Sequence, residues 1–557
     1  MTSISAYGST QSLYFKQVSG TISYSLDNSS WTAVSSWPVS ITNLDSASSA
    51  VLNILFTTDL TLTTSTQYFI CMTSFLQFGS KTLNSDGSIP KCIVTNVTNY
   101  PGLIQNGTSG ANGRANISIV NLGVTASGTT SLGDDQGWIG QSYFGKGVSG
   151  CVITGCYSTG NIVGPNGAGG IVGAYSGTSS GTLRIQGCYS TGAILGYGGG
   201  IAGKYTGQGG TVYFVQCFST GAISGMYSGG ISGLYTGSTG GSIQCIACYS
   251  SGIISGNYAG GILGINAGHT NGTVSISYCY SKGAISGSSA GGICGQNVGI
   301  SANGVIITNS FSTGTIGSTA GGIIGPTTGT YTIQHCYTSG ALAGATGGIV
   351  GGLSTEPATC YSEGKHLSSG WNDTNANSVL TAGFWIQPNG INTPYLLPIL
   401  GYSTYSLTNV TDSSGNVFNT SESASIQAGE TTSAAIVPGY TYSLLTVTPG
   451  ITINSSTGRI STTSSVLEGE YELSIFANSS PSYYVVITYI LTIATIPSSV
   501  PENIQIPNYS NISSEQRYLI EQGQYMSTNS SYTSVKQYGS YSEYLKYRMA
   551  NKVSGSM

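Results

Sequence analysis

The chain has 557 residues, long enough for two to four domains, yet only 6% of them are charged, while 83 are glycine and 38 are tyrosine. Globular chains usually carry about a quarter charged residues, so this surface must be built of hydroxyls and amides. The formal net charge of −4 excludes the basic face that nucleic-acid binding requires, and the supply of Ile, Val, Leu and Tyr excludes the composition of a disordered chain.

Residues 1–8 have no basic start, apolar core or cleavage site, so no secretory signal is expected. No window approaches 18 uncharged apolar residues, so no membrane span is expected either. Residues 1–60 hold alternating runs, Thr21-Ile-Ser-Tyr-Ser-Leu26 and Val51-Leu-Asn-Ile-Leu-Phe56, broken at Asp27-Asn-Ser-Ser30 and Trp37-Pro38. They read as a β cap, because an uncovered end coil would offer unpaired strand edges to other chains. From residue 61 weaker apolar clusters recur, at Tyr68-Phe-Ile-Cys71, Leu76-Gln-Phe-Gly79, Ile117-Ser-Ile119 and Gly137-Trp-Ile-Gly140.

Over residues 151–364 one pattern returns every 24 to 32 residues. Its first landmark is Cys156, Cys188, Cys217, Cys248, Cys279, Ser310, Cys336 and Cys360, and an aromatic follows each, from Tyr157 to Tyr361. Ile162, Ile194, Ile223, Ile254, Ile285, Ile316 and Leu342 form the second; Ile171, Ile201, Ile231, Ile262, Ile293, Ile323 and Ile349, in Gly-Gly-Ile-x-Gly runs, form the third. Fixed-period self-similarity means stacked repeats. Each period holds three short, β-branched clusters separated by Gly, Ser, Thr or Asn, with no helical spacing and no room for the four strands of a propeller blade. A parallel β-helix fits, right-handed by default, over residues 61–398, with same-slot residues stacked about 4.8 Å apart. Val274 and Ile276 share parity with the aromatic and not with the cysteine, which predicts a bend before Cys279 turning the thiols inward and the aromatics into an outward or corner stack.

The twelve cysteines follow the coil period and not a disulfide framework, so a ladder of buried thiols is the better reading. Between Gln136 and Thr355 there is no Asp or Glu, and beyond Cys and Tyr the titratable residues there are Lys146, Arg184, Lys204, Lys282, His269 and His335. A glycosidase needs two carboxylates about 5–10 Å apart, which the regular coils cannot supply. The Asp134-Asp135 pair reads as a solvated turn with Lys146 as its nearest base, and Cys245-x-x-Cys248 as core, since no second pair lies at zinc spacing. His269 and His335 fall in different slots, and the Gly-Gly-Ile runs lack the helix and Lys-Ser/Thr of a phosphate loop. No catalytic, cofactor-binding or metal site is expected, and no cofactor.

Past residue 364, Gly383-Phe-Trp-Ile-Gln387 and Pro394-Tyr-Leu-Leu-Pro398 suit a lid on the last coil. Residues 399–496 change to longer alternating strands such as Tyr471-Glu-Leu-Ser-Ile-Phe476, which read as a β-sandwich. Residues 497–557 open with Pro497 and Pro501 and carry two helical signals, 513–521 and 540–549, the second with a Ser540 to Glu543 capping box. A short, partly helical, Tyr-rich docking tail is expected.

The Cys-Tyr-Ser-Thr-Gly…Gly-Gly-Ile-x-Gly repeat resembles the GLUG-type repeat of bacterial surface adhesins, with Ile where Leu is more usual. Residues 449–477, from Pro449-Gly-Ile-Thr-Ile453 to Gly469-Glu-Tyr-Glu-Leu473, resemble the Ig-like or cadherin-like module of extracellular proteins. The layout around residues 67–71, 99–106 and 138–145 is similar to repeat proteins of giant double-stranded DNA viruses. These resemblances imply a non-enzymatic structural or surface protein of a virus particle, assembled in the host cytoplasm, with capsid or other virion proteins as partners of its C-terminal tail. Host glycans and self-association into a homo-oligomer are further expected contacts. The alternative is a glycan-binding cell-surface adhesin.

Overall fold

The computed structural model describes residues 1–353 except 80–89, 164–165 and 344–346, then 357, 360–362 and separate segments between 385 and 538. Through residue 362 the chain is an all-β parallel solenoid with three faces. The first face is a 13-stranded sheet and the second an 11-stranded one. A third begins as four strands, Thr2–Ala6, Val39–Asn43, Phe69–Cys71 and Ile104–Gln105. It continues as single parallel bridges from Ile104 through Gly140, Val172, Ala202, Ser232, Leu263, Cys294 and Ile324 to Val350.

Coil stacks on coil without slippage. Along the first face, Thr182–Gln186 pairs with Thr211–Val215, that strand with Ser242–Ile246, and that with Thr273–Ser277. Leu183, Val212, Ile243 and Val274 therefore form one inward column, and Ile185, Phe214, Cys245 and Ile276 another. Ile162, Ile194, Ile223, Ile254, Ile285 and Ile316 are bridged one above the next and fully buried. Alternation that looks modest in one coil becomes a continuous core because each coil covers its neighbour.

Residues 1–60 are not a separate cap. Thr2–Ala6 already pairs in parallel with Val39–Asn43, and Ser12–Val18 with Leu52–Phe56, so the solenoid begins at the first strand. The early coils fill their interior with Phe15, Phe56, Phe69 and Phe78 in place of the isoleucine and glycine slots, which is why they do not read as repeats. Capping is done by a smaller element. Thr21–Ser25 folds back antiparallel on Ser12–Val18, and Thr32–Ala33 on it. On the second face the end strand, Leu60–Leu62, is closed by a side chain: Gln17 Oε1 accepts the Thr61 N–H at 2.5 Å, while its Nε2 donates to Gly20 O at 3.1 Å. An amide thus stands in for a missing strand.

The glycine run and the serine after each aromatic explain one another. Ser158, Ser190, Ser219, Ser250, Ser281 and Ser312 point inward with no exposure. They meet the second glycine of the run from the other side: a Cβ on Gly230 would lie 2.7 Å from Ser250 Cβ and closer still to Gly261 O. The coil is pinched there, and only hydrogen opposite a small side chain fits.

The bend predicted before the cysteines is present, with Tyr278, Gln216, Ala247, Asn309 and His335 all at positive φ. The N–H that follows it finds no backbone acceptor at Cys156 or Cys279, and the next coil's thiol or hydroxyl accepts it, while donating a second hydrogen bond to a carbonyl that already holds a backbone one. Cys188 Sγ donates to Gln186 O at 3.3 Å in its own coil and Ile153 O at 3.5 Å in the previous one, and accepts the Cys156 N–H at 3.4 Å. Ser310 does the same with oxygen, donating to Thr308 O at 2.8 Å and accepting the Cys279 N–H at 3.2 Å. All twelve cysteines are free and buried. Burial holds the Cys188, Cys248 and Cys336 thiols well above their ordinary value and pushes Cys151 up to about 11.

Beyond the solenoid, Ser421–Ile426, Tyr483–Ile493, Gly469–Ser480 and Thr441–Leu444 form a four-stranded sheet in that order, parallel at its first pair and antiparallel elsewhere. A two-stranded pair, Ile451–Ile453 with Ile460–Thr462, shares a buried cluster with it that includes Tyr442, Leu473, Ile475 and Leu491. Of the expected lid, the described part is an antiparallel pair, Trp385–Ile386 with Tyr395–Leu396. Both helical signals of the tail lie outside the described residues; what is described there is a strand pair, Tyr525–Ser527 with Lys536–Tyr538.

Two measurements test these packing arguments. Ser219 Oγ is buried without a hydrogen-bond partner, so Ser219→Ala is expected to leave the urea midpoint unchanged or raise it, whereas Gly230→Ala lowers stability by about 1–3 kcal/mol through overpacking. At the bend, Cys248→Ser keeps a donor for Ile246 O and Phe214 O. It is expected to exceed Cys248→Val in stability by about 0.5–1.5 kcal/mol, because valine loses the hydrogen bond that Ile246 O accepts in addition to the Gln216 N–H.

Candidate ligand-contact faces of the solenoid

Three aromatic columns run along the coils, the first of them buried at Tyr280 and Phe311. The first is the one expected from the aromatic after each cysteine: Tyr157, Tyr189, Phe218, Tyr249, Tyr280 and Phe311 stack with centroids 4.7–5.3 Å apart and planes within 9°. Lys282 Nζ lies 5.3 Å from the Tyr280 ring centroid. The ring sequence follows from the bend, which reverses parity between the strand and the aromatic.

A second column was not anticipated from the sequence. Tyr143, Tyr175, Tyr205 and Tyr235 stack at 4.9, 5.1 and 5.1 Å with planes within 7°. Each occupies the turn leaving the third face. The repeated Tyr-Ser/Thr-Gly at Tyr175, Tyr205 and Tyr235 was the available signal, hidden among many Ser and Gly residues. A third, less regular column is Tyr197, Tyr227 and Tyr258, at 5.4 Å spacings.

Charges gather beside the second column. Lys204, 69 residues from Asp135 in sequence, forms an ion pair with it at 3.0 Å, Nζ to Oδ1. Lys146, expected to be the nearest base to the Asp134-Asp135 pair, instead donates to Ser109 O at 2.7 Å and lies 5.6 Å from the Tyr143 ring centroid. Asp134 Oδ2 accepts from Asn166 Nδ2 at 3.0 Å. The loop positions of Asp135 and Lys204 meet because their coils stack, which sequence distance conceals. Burial raises the Asp135 carboxyl above its ordinary value, with Lys204 pulling it back and Asp134 pushing it up. Burial, and then the Asp135 charge, push the Tyr175 phenol up to about 12.

The other sequence candidates do not converge. Cys245 is part of an inward column on the first face and Cys248 sits at the bend, both fully buried. His269 meets Tyr235 edge-on at 5.4 Å, while His335 occupies a bend slot where burial lowers its pKa. Among the described residues no three His, Cys, Asp or Glu side chains group as metal ligands, and no helix is long and apolar enough to cross a membrane.

No protein-family model matches the chain, and no curated protein matches it. Among solved structures it is similar to a chain from Bacteroides ovatus described as a "putative immunoglobulin A1 protease", at 17% identity and a TM-score of 0.26, over 62% of this chain and 92% of that one. A likeness that distant carries nothing about activity. What fixes the β-solenoid is the chain's own strand pairing.

The Asp135 pair gives a pH test. Because the folded carboxyl holds its proton to higher pH than the unfolded one, stability from this group is full at low pH and is lost as pH rises from the ordinary value to the raised one. Removing the ammonium widens that interval. Lys204→Met is therefore expected to lose more stability than wild type between pH 4 and pH 7 in urea titrations, and Asp135→Asn to abolish the difference.

Proposed function

We propose that the chain is a non-enzymatic structural or surface rod of a large DNA virus particle, capsid-associated or fibre-like, used in assembly or host attachment. The observation that carries the reading is the unbroken register of ladders from the first coil to Tyr361. A column in which each coil is held by its neighbours keeps its side chains at fixed intervals, as a spacer or fibre must. The GLUG-type and viral resemblances of the repeat supply the particle context, and right-handed winding is the default for such coils. The separate buried cluster around Leu473 and Leu491 supports reading residues 399–496 as an Ig-like module. Residues 497–557 would then attach the rod to capsid or other virion proteins after assembly in the host cytoplasm, singly or as a homo-oligomer.

A second reading, a glycan-binding adhesin, is favoured by the external tyrosine columns, whose hydroxyls suit sugar contacts. Mass spectrometry and immunogold labelling of purified particles test the first reading. The chain is expected in stoichiometric amount and to be released when residues 513–557 are deleted. Its absence from particles, with the protein found on a cell envelope, would overturn the virion assignment in favour of the adhesin.

A further inference from the structure

We propose that Tyr143, Tyr175, Tyr205 and Tyr235 form a binding strip for a neutral linear glycan with equatorial 1,4 linkages, lying along the solenoid axis with one sugar to each coil. The proposal deepens the attachment role above by naming its surface and ligand class.

The backbone supplies the first argument. These four tyrosines have φ of 63°, 58°, 53° and 56°, a left-handed conformation that is strained for a bulky residue. In the next coils the same turn carries Asn266 and Asn297 at 58° and 60°, and asparagine tolerates that conformation readily. The hydrogen bonding of the turn is the same with either residue: Tyr205 N–H bonds Leu234 O and Asn266 N–H bonds Gln296 O. The fold itself is thus served by asparagine. What tyrosine adds is the ring and its hydroxyl, at a site where strain is tolerated.

The second argument is what the rings leave open. Each face is covered by the next ring, Tyr143 has the Lys146 ammonium beside it, and Tyr235 meets the His269 edge. No face within the stack is available for a sugar to lie upon. The column offers ring edges and a row of phenol hydroxyls instead, and no described residue hydrogen-bonds those hydroxyls. Rungs 4.9–5.1 Å apart recur at nearly the interval of successive sugars in an extended chain with equatorial 1,4 linkages. A chain of axial 1,4 linkages coils away from such a row.

Charge sets the class. The two carboxylates and two ammoniums beside the column are Asp134, Asp135, Lys146 and Lys204, which balance, and one of each is already committed to an ion pair. Nothing there recruits an acidic glycan over a neutral one. Each rung contributes little, so binding must accumulate along the chain of contacts.

Titration calorimetry of the full chain with cello-oligosaccharides of two to six sugars tests this, with malto-oligosaccharides as the control. Affinity is expected to climb with each sugar up to four and then level off. The double variant Tyr175→Phe/Tyr205→Phe keeps the stack and removes two hydroxyls, so its affinity for the hexasaccharide should fall about tenfold or more, a difference of about 1.4 kcal/mol, with its melting temperature unchanged. Tyr175→Asn/Tyr205→Asn, with the residue native to this turn in later coils, should lose binding while staying folded. No binding of cello-oligosaccharides, equal binding of malto-oligosaccharides, or undiminished binding by the phenylalanine variant would each overturn the proposal. A chain that binds cellohexaose but is absent from particles sinks only the virion reading; a particle-bound chain indifferent to glycan sinks only this one.

Discussion

Coil-to-coil hydrogen bonding in fixed register is the constraint on which the rest of the molecule depends. Every strand from Ser12–Val18 to Thr332–Gln334 on the first face pairs in parallel with its successor, so whatever occupies a slot in one coil touches its counterpart in the next. Local choices then multiply along the axis. A stacked ring, a buried thiol or a pinched glycine is repeated until it becomes a continuous wall.

That multiplication explains the unusual composition. The bend recurs in coil after coil, and the small group at Cys188, Cys217, Cys248 or Ser310 adds a hydrogen bond to the carbonyl two residues before it each time, Cys188 and Ser310 also accepting the N–H of the previous coil's cysteine. The cross-section narrows between Gly230 and Ser250, so glycine and serine recur together. Burial pushes the Cys188, Cys248 and Cys336 thiols up, and the thiol and hydroxyl slots are ruled by size and by hydrogen-bonding capacity.

The same stacking brings together groups that are far apart in the chain. Asp135 and Lys204 meet across the coils, and four strained tyrosines align although each belongs to its own turn. These contacts set one of the two ion pairs among the described residues beside the second tyrosine column, while His269, His335 and the Cys245/Cys248 pair are dispersed to separate slots.

The sequence by itself determined the parallel β-solenoid, the inward isoleucine columns, the bend that buries the thiols and the aromatic stack after it, because each is written in one repeating residue type at one interval. Tertiary structure alone decided where the solenoid starts, since the phenylalanine-filled coils of residues 1–60 share its register but not its motif. It alone revealed Lys204 as the partner of Asp135, the Gln17 closure of the end strand and the second tyrosine column. Periodicity reports which residues occupy equivalent slots; it does not report which slots lie side by side, and that adjacency is created only when the coils are laid one upon another.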